Sequence, residues 1–421
     1  MLSGRWQALA TGDLARRLRG SLADILGTLE AQRGEREDPW TALLYEYADR
    51  ANSSDAHAAA ATRIFERAVA GLPNLGAAPT LYGGFTGVAW LASHLTEPEP
   101  GGEDPNAELD ATLCTMLSRP GWAAYDLIGG LVGVGVYFLE RLEVPGAQAI
   151  AAQSLARIVD RLTELATFHG AGTTWFTPAA QLVEPERSLA PNGLYNLGVA
   201  HGVPGIVGLL GEIVGVGVGV GVGGSRARQL LQQSVAWLLA QPPADPVSRF
   251  APWIAVGVEG RRGGSRLGWC YGDLGVAAVL LRVARRVGEP AWEREAIAMA
   301  RTQATRRDAS TMVTDAGLCH GTAGIAHLFN RLYQATGDTD LADAARYWLE
   351  RTLELREPGA GIAGYRSLGR NETGETRWEA APGFLTGAAG IGLSLLAATT
   401  DIAPDWDRVL LVSVPPAHFG R

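Results

Sequence analysis

Two short stretches set sulfur and imidazole where chemistry is possible. "GLCHGTAG" at 317–324 places Cys319 beside His320, and "LGWCYGDLG" at 267–275 holds Cys270. Neighbouring side chains diverge on a regular helix or strand, so a Cys–His pair shares one space only on an irregular turn. Two thiolates and one imidazole make a sensible catalytic zinc set, because three protein ligands leave a fourth position open. The competing assignment for a cysteine is a small buried hydrophobe, and Cys114 in "ATLCTMLSRP" is read that way.

Such a set needs elements that bring 270 and 319 together, and the chain carries a repeat that does so. The pattern G-x-x-G recurs at 84/87, 130/133, 202/205, 272/275, 321/324 and 387/390. Each pair opens two to three turns of mostly apolar residues, as in "YGGFTGVAWLASHL" and "FLTGAAGIGLSLLAA", the mark of a helix buried on most faces. Between them lie segments with one apolar stripe. In "RARQLLQQSVAWLLAQ", Leu231, Val235, Leu238 and Leu239 recur at three- and four-residue steps while glutamines and arginines face out. Stacked hairpins of an inner and an outer helix, closed into a ring, leave no end repeat to cap. The expectation is an all-α fold, an α/α toroid forming one domain over 1–421. All inner N-termini lie at one end, and the active site lies there too. The paired glycines are expected to let the inner helix starts crowd around the axis. Strand-like scraps such as "GTTWFTP" and "WIAVGVEG" place small rim insertions at about 165–195, 240–268 and 355–382.

Composition narrows the classes. A chain of 421 residues, 47% hydrophobic and 19% charged, has material for a large core, which excludes a disordered reading. Its net charge of −8 argues against a nucleic-acid partner, since phosphate binding needs clustered cations. Every basic residue is arginine, which removes Schiff-base and P-loop lysine mechanisms. Three cysteines are too few for a disulfide framework, and the opening "MLSGRWQALATGDLARRL" is no signal peptide. A reducing, cytoplasmic compartment is therefore expected, with a peripheral place in a membrane-associated complex left open. No apolar run reaches membrane-spanning length, so an integral membrane protein is not expected. The Gly-Val run at 213–224 reads as a low-complexity expansion in a connection.

"WCYG", "CHG", "NLGVAHGVPG" and the repeated G-x-x-G together resemble the lanthionine synthetase C family, the lanthipeptide cyclases, along nearly the whole chain. The resemblance implies an α/α toroid holding Zn2+ through Cys270, Cys319 and His320. It implies a reaction in which a precursor-peptide cysteine adds to a dehydroalanine or dehydrobutyrine of the same peptide, forming a lanthionine or methyllanthionine ring. By the same resemblance His201 is the general acid/base and Asp126 supports it, although an aspartate there is equally an ordinary N-cap. Arg266 and Tyr271 match positions that act on the enolate or on sulfur deprotonation, with structural roles left open. Asp273 reads as a helix cap, and His327, inside an apolar helix, as a packed residue. The implied partners are a dehydrated precursor peptide of leader plus core, a separate dehydratase and an exporter. A dehydratase module ahead of the repeats is not expected in this chain. The family ring has seven hairpins and six motifs are clear, so the seventh must come from "WQALATGDLARRLRGSLADILGTLEAQ" or from the C-terminal end.

Three other chemistries compete with this one. A prenyltransferase-like zinc enzyme also alkylates peptide thiols, but it uses an Asp-Cys-His set. A LanC-like protein that binds or adds glutathione keeps the toroid without the cyclase reaction. A sugar-cleaving toroid needs paired carboxylates and has no use for cysteines.

Overall fold

The computed structural model describes residues 4–34, 37–76, 78–96, 102–119, 121–170, 172–217, 222–258, 263–370 and 375–417. In chain order the helices are α1 (Gly12–Ala31), α2 (Thr41–Asn52), α3 (Asp55–Gly71), α4 (Phe85–Leu95), α5 (Ala107–Leu117), α6 (Leu131–Arg141) and α7 (Gln148–Leu165). They continue with the single-turn α8 (Glu186–Leu189), then α9 (Val203–Gly215), α10 (Val222–Leu239), α11 (Asp273–Val287), α12 (Pro290–Ala304), α13 (Thr322–Thr336), α14 (Thr339–Glu354) and α15 (Ala388–Thr399). All six glycine motifs open helices, namely α4, α6, α9, α11, α13 and α15, and these are buried nearly all round. The segments with a single apolar stripe are α7, α10, α12 and α14, each packed outside the inner helix that precedes it. None of the described helices is long and apolar enough to cross a membrane.

The ring closes through the N-terminus. Neighbouring inner helices follow the order α4, α6, α9, α11, α13, α15, and α2 fills the gap between α15 and α4. Helix α2 has no glycine motif; Asp38 instead accepts the Trp40 amide at 2.9 Å and turns the chain into it. Its buried run from Thr41 to Tyr45, with Tyr47 and Ala48, supplies the seventh inner face. The outer partner of α15 is α1, from the opposite end of the chain. Trp6 Nε1 donates to the Ala397 carbonyl at 2.8 Å, and the Leu9 and Ala10 amides both donate to Ala398.

The tail, expected as a candidate hairpin, is neither an inner nor an outer helix. After α15 the chain makes a 3-10 turn at Asp405–Leu410 whose Trp406, Asp407, Val409 and Leu410 are buried, and Leu411, Val412 and Val414 are buried after it. It packs against inner-helix side chains: Leu411 lies against Gly208 of α9, and Arg331 of α13 donates to the Pro404 and Val414 carbonyls. This segment fills the space the inner helices enclose.

The paired glycines do more than the expectation gave them. A methyl added at Gly87, Gly133, Gly205, Gly275, Gly324 or Gly390 would strike the carbonyl of the residue six positions earlier in its own motif. The pair therefore makes room for the incoming turn to fold over its own helix. Crowding between motifs is allowed partly by the same glycines, since the methyl at Gly133 would also meet Leu81 and that at Gly390 would meet Leu318, and partly by others. An added methyl at Gly198 would strike Cys270 and Tyr271, at Gly268 it would meet His320, and at Gly317 it would meet Thr386. Across these contacts runs a belt of backbone hydrogen bonds: Leu127 N to Ala200 O, Ala200 N to Cys270 O, Cys270 N to Cys319 O, and Cys319 N to Leu385 O. The belt holds the starts of α6, α9, α11, α13 and α15 together.

The connections carry short strands. Strands β1 (Ala166–His169), β2 (Gly172–Thr177), β3 (Leu194–Asn196) and β4 (Trp253–Ala255) form one antiparallel sheet in that order, joining the first two expected rim segments. The third segment folds into a separate hairpin, β5 (Ser367–Arg370) with β6 (Thr376–Glu379). The Gly-Val run is only partly a connection: its start ends α9, its end opens α10, and 218–221 lie outside the described residues.

Candidate active site

The turns before α6, α9, α11 and α13 are consecutive around the belt, and they bring Asp126, His201, Cys270 with Tyr271, and Cys319 with His320 to one place. Counted from the first glycine of each motif, the chemistry repeats. Position −1 holds His201, Tyr271 and His320; position −2 holds Ala200, Cys270 and Cys319; position −6 holds Asn196, Arg266 and Asp315. The Cys–His neighbours of one turn share a space because that turn is irregular, with helix α13 starting only at Thr322.

The two thiol sulfurs and one imidazole nitrogen of Cys270, Cys319 and His320 all lie within 4.8 Å of one another. Cys270 Sγ is 3.7 Å from His320 Nδ1. Both thiols are buried, while His320 is half-buried and opens the group on one side. The first proton leaves this pair readily. A hydrogen bond from Cys319 holds the Cys270 thiol well below the usual thiol range, and His320 and the Arg266 guanidinium add to that against the cost of burial. Donating that bond, together with burial, pushes the Cys319 thiol up. A second thiolate beside the first is opposed by the charge of the first and by burial.

His201 and Asp126 form a dyad, Nδ1 to Oδ2 at 2.6 Å, with side chains 42% and 24% exposed. The imidazole is therefore open to solvent on one side. The other Asp126 oxygen accepts the Gly129 amide at 2.8 Å, so the same carboxylate both ties down its turn and orients the histidine. Between dyad and thiols stands Tyr271, its ring stacked on His201 with centroids 6.0 Å apart. Burial raises the Tyr271 phenol well above its ordinary range, opposed by a 3.0 Å hydrogen bond from Asn196 Nδ2 to its oxygen. The Tyr271 hydroxyl is thus a neutral donor at neutral pH.

Asn196, and Trp253 of β4 whose ring meets Tyr271 edge-on at 6.2 Å, were not picked out from the sequence. Asn196 had a signal, since it occupies the repeat position of Arg266. Asp315 shares that position, and Asn196 and Asp315 each accept the amide two residues on, from Gly198 and Gly317. Asp273 corrects an expectation. It stands inside the first turn of α11, after Gly272, and its carboxylate accepts the Arg249 and Phe250 amides and Gln303 Nε2. It anchors the 240–268 connection and does not cap its own helix. His327 is buried at 2.8 Å from Asp407, and Cys114 is buried against α7 through Gln153.

A family model for lanthionine synthetase C-like protein matches residues 40–411. Among solved structures, one titled nisin cyclase matches with a TM-score of 0.70 at 18% identity, covering 94% of this chain and 97% of that one. At that identity the likeness bears on the fold, an α/α toroid. No curated protein sequence matches significantly.

Proposed function

The chain belongs to the lanthionine synthetase C-like family, and from that premise we propose that it is a zinc-dependent lanthipeptide cyclase. Its substrate on this reading is a precursor peptide, leader plus core, whose serines and threonines a separate dehydratase has already converted. The supporting observation is the convergence of Cys270, Cys319 and His320 on adjacent turns with the half-buried His201–Asp126 dyad across Tyr271.

The donor set fits zinc. Bonds of about 2.3 Å to sulfur and about 2.0 Å to nitrogen in a tetrahedron separate ligand atoms by roughly 3.5 Å, and these three donors are already within 4.8 Å. When bound, Zn2+ would lower the pKa of an incoming substrate thiol, which otherwise sits near 8.5 and is mostly protonated at neutral pH. The protein's residues do the rest. With Nδ1–H donated to Asp126, the His201 imidazole presents a bare Nε2 that takes the thiol proton and returns it to the α-carbon after addition. Thiolate addition to the β-carbon sends an electron pair to the amide oxygen, and that enolate needs donors. Tyr271, neutral and oriented by Asn196, supplies a hydrogen bond, and Arg266 supplies charge. Burial of Tyr271 speaks against its serving as a base for sulfur.

Mass spectrometry of the cognate dehydrated peptide, followed by thiol alkylation, tests the reading. Cyclisation leaves the peptide mass unchanged and removes its alkylatable cysteines. Thiols that remain free with enzyme and zinc present would refute it.

A further inference from the structure

We propose that the buried C-terminal segment 405–414 is a working part of the thiol–imidazole centre, positioning it through Trp269 and Tyr82. Two tail carbonyls accept side chains from the motif turns: Leu410 O from Trp269 Nε1 at 2.9 Å, and Val409 O from the Tyr82 hydroxyl at 2.8 Å. Trp269 directly precedes Cys270, and its own amide donates to the Cys319 carbonyl at 2.9 Å, so this one residue links the tail to both thiol turns. Tyr82 occupies in the first motif the repeat position that Cys270 and Cys319 hold in theirs. Its ring meets Trp269 edge-on at 6.3 Å and lies parallel to Phe384, which in turn abuts Trp406 of the tail at 5.8 Å.

The tail is itself held by the helices that carry the thiol turns. His327 and Arg331 of α13 both engage Asp407 at 2.8 Å, and Arg282 of α11 donates to the Ser413 carbonyl. Trp406, Asp407 and Val409 have no measurable exposure, so the segment cannot leave without opening the ring. Buried carbonyls and indole N–H groups are costly to leave unpaired, which makes the spacing of the two turns depend on the tail.

This inference rests on the metal reading above, so its test is read in metal binding and not in cyclase activity. Tyr82→Phe and Trp269→Phe each delete one donor to the tail while keeping an aromatic ring. Trp348→Phe, a buried tryptophan of α14 without a hydrogen bond on its indole nitrogen, serves as the control. Full-length proteins are loaded with cobalt(II) for the ligand-field spectrum and titrated with zinc against a chromogenic chelator, alongside thermal melts. The expected result is a zinc Kd raised about 10-fold and an altered cobalt spectrum in both site variants, with neither change in the control. Lowered melting temperatures with wild-type zinc affinity and spectrum would overturn it and leave the tail a purely structural plug. If Trp269→Phe does not fold, Tyr82→Phe, which loses one oxygen atom, decides alone. A wild-type chain that takes up no metal would overturn the zinc reading itself, an outcome distinct from wild-type uptake with unaltered variants.

Discussion

Asp126 is described fully by neither of the roles its sequence position suggests, because its two oxygens serve a turn and a histidine at once. Division of labour of this kind recurs in the site. The two thiols are buried and the His201–Asp126 dyad is half-buried on a different pair of turns, so removing one set should leave the other standing. Cys270→Ala combined with Cys319→Ala is expected to abolish the roughly one zinc per chain that the donor set implies, as metal analysis would detect. His201→Ala should retain that zinc yet slow cyclisation by about 100-fold or more, the usual contribution of a positioned acid/base. Zinc loss in His201→Ala would instead make that residue a ligand.

Helix starts are where this fold concentrates its constraints. In α11, an alanine at Gly275 would drive its methyl into the Trp269 carbonyl, next to Cys270. Urea unfolding should show Gly275→Ala losing about 1–3 kcal/mol. Gly263→Ala, whose added methyl meets nothing within 4 Å, should stay within about 0.5 kcal/mol of wild type. The same helix carries a pH-dependent element. Burial pushes Asp273 from 3.8 up to about 6, despite three hydrogen bonds to the carboxylate. A folded-state pKa above the unfolded value means the native protein holds the proton more tightly. Its contribution to stability is therefore complete below about pH 4 and is lost as pH rises through 6. The loss amounts to about 3 kcal/mol, and Asp273→Asn should abolish that slope when unfolding is followed between pH 4 and 7.5. The periodicity that announced α11 and its outer neighbour α12 was legible because it is local. The load borne by Asp273 was not, since its partners lie on a loop and on another helix.

At the scale of the molecule, closure depends on contacts between the two ends of the chain. Trp6 is buried and donates to Ala397, a bond spanning 391 positions, in the seam where α1 covers α15. Trp6→Ala should cost about 3–5 kcal/mol, the range for deleting a large buried aromatic. Calorimetry would detect it, and a cost under about 1 kcal/mol would show that the seam does not hold the ring closed.

Residue pattern alone specifies the repeat, the α/α architecture, the shared end of the motif turns, and the union of Cys270, Cys319 and His320 in one group. All of these follow from spacing within some fifty residues, where side-chain period and turn residues act directly. Tertiary structure alone decided that α2 supplies the seventh inner helix without a motif, that α1 crosses the seam to α15, and that the tail fills the ring. It also decided which glycines admit neighbouring turns and gave Asn196 its place against Tyr271. Those outcomes depend on shape and hydrogen-bonding complementarity between segments far apart in the chain, 75 residues for Asn196 and Tyr271 and 391 for Trp6 and Ala397. Loop-closure entropy varies only slowly at such separations, so sequence distance scarcely discriminates among partners and packing makes the choice.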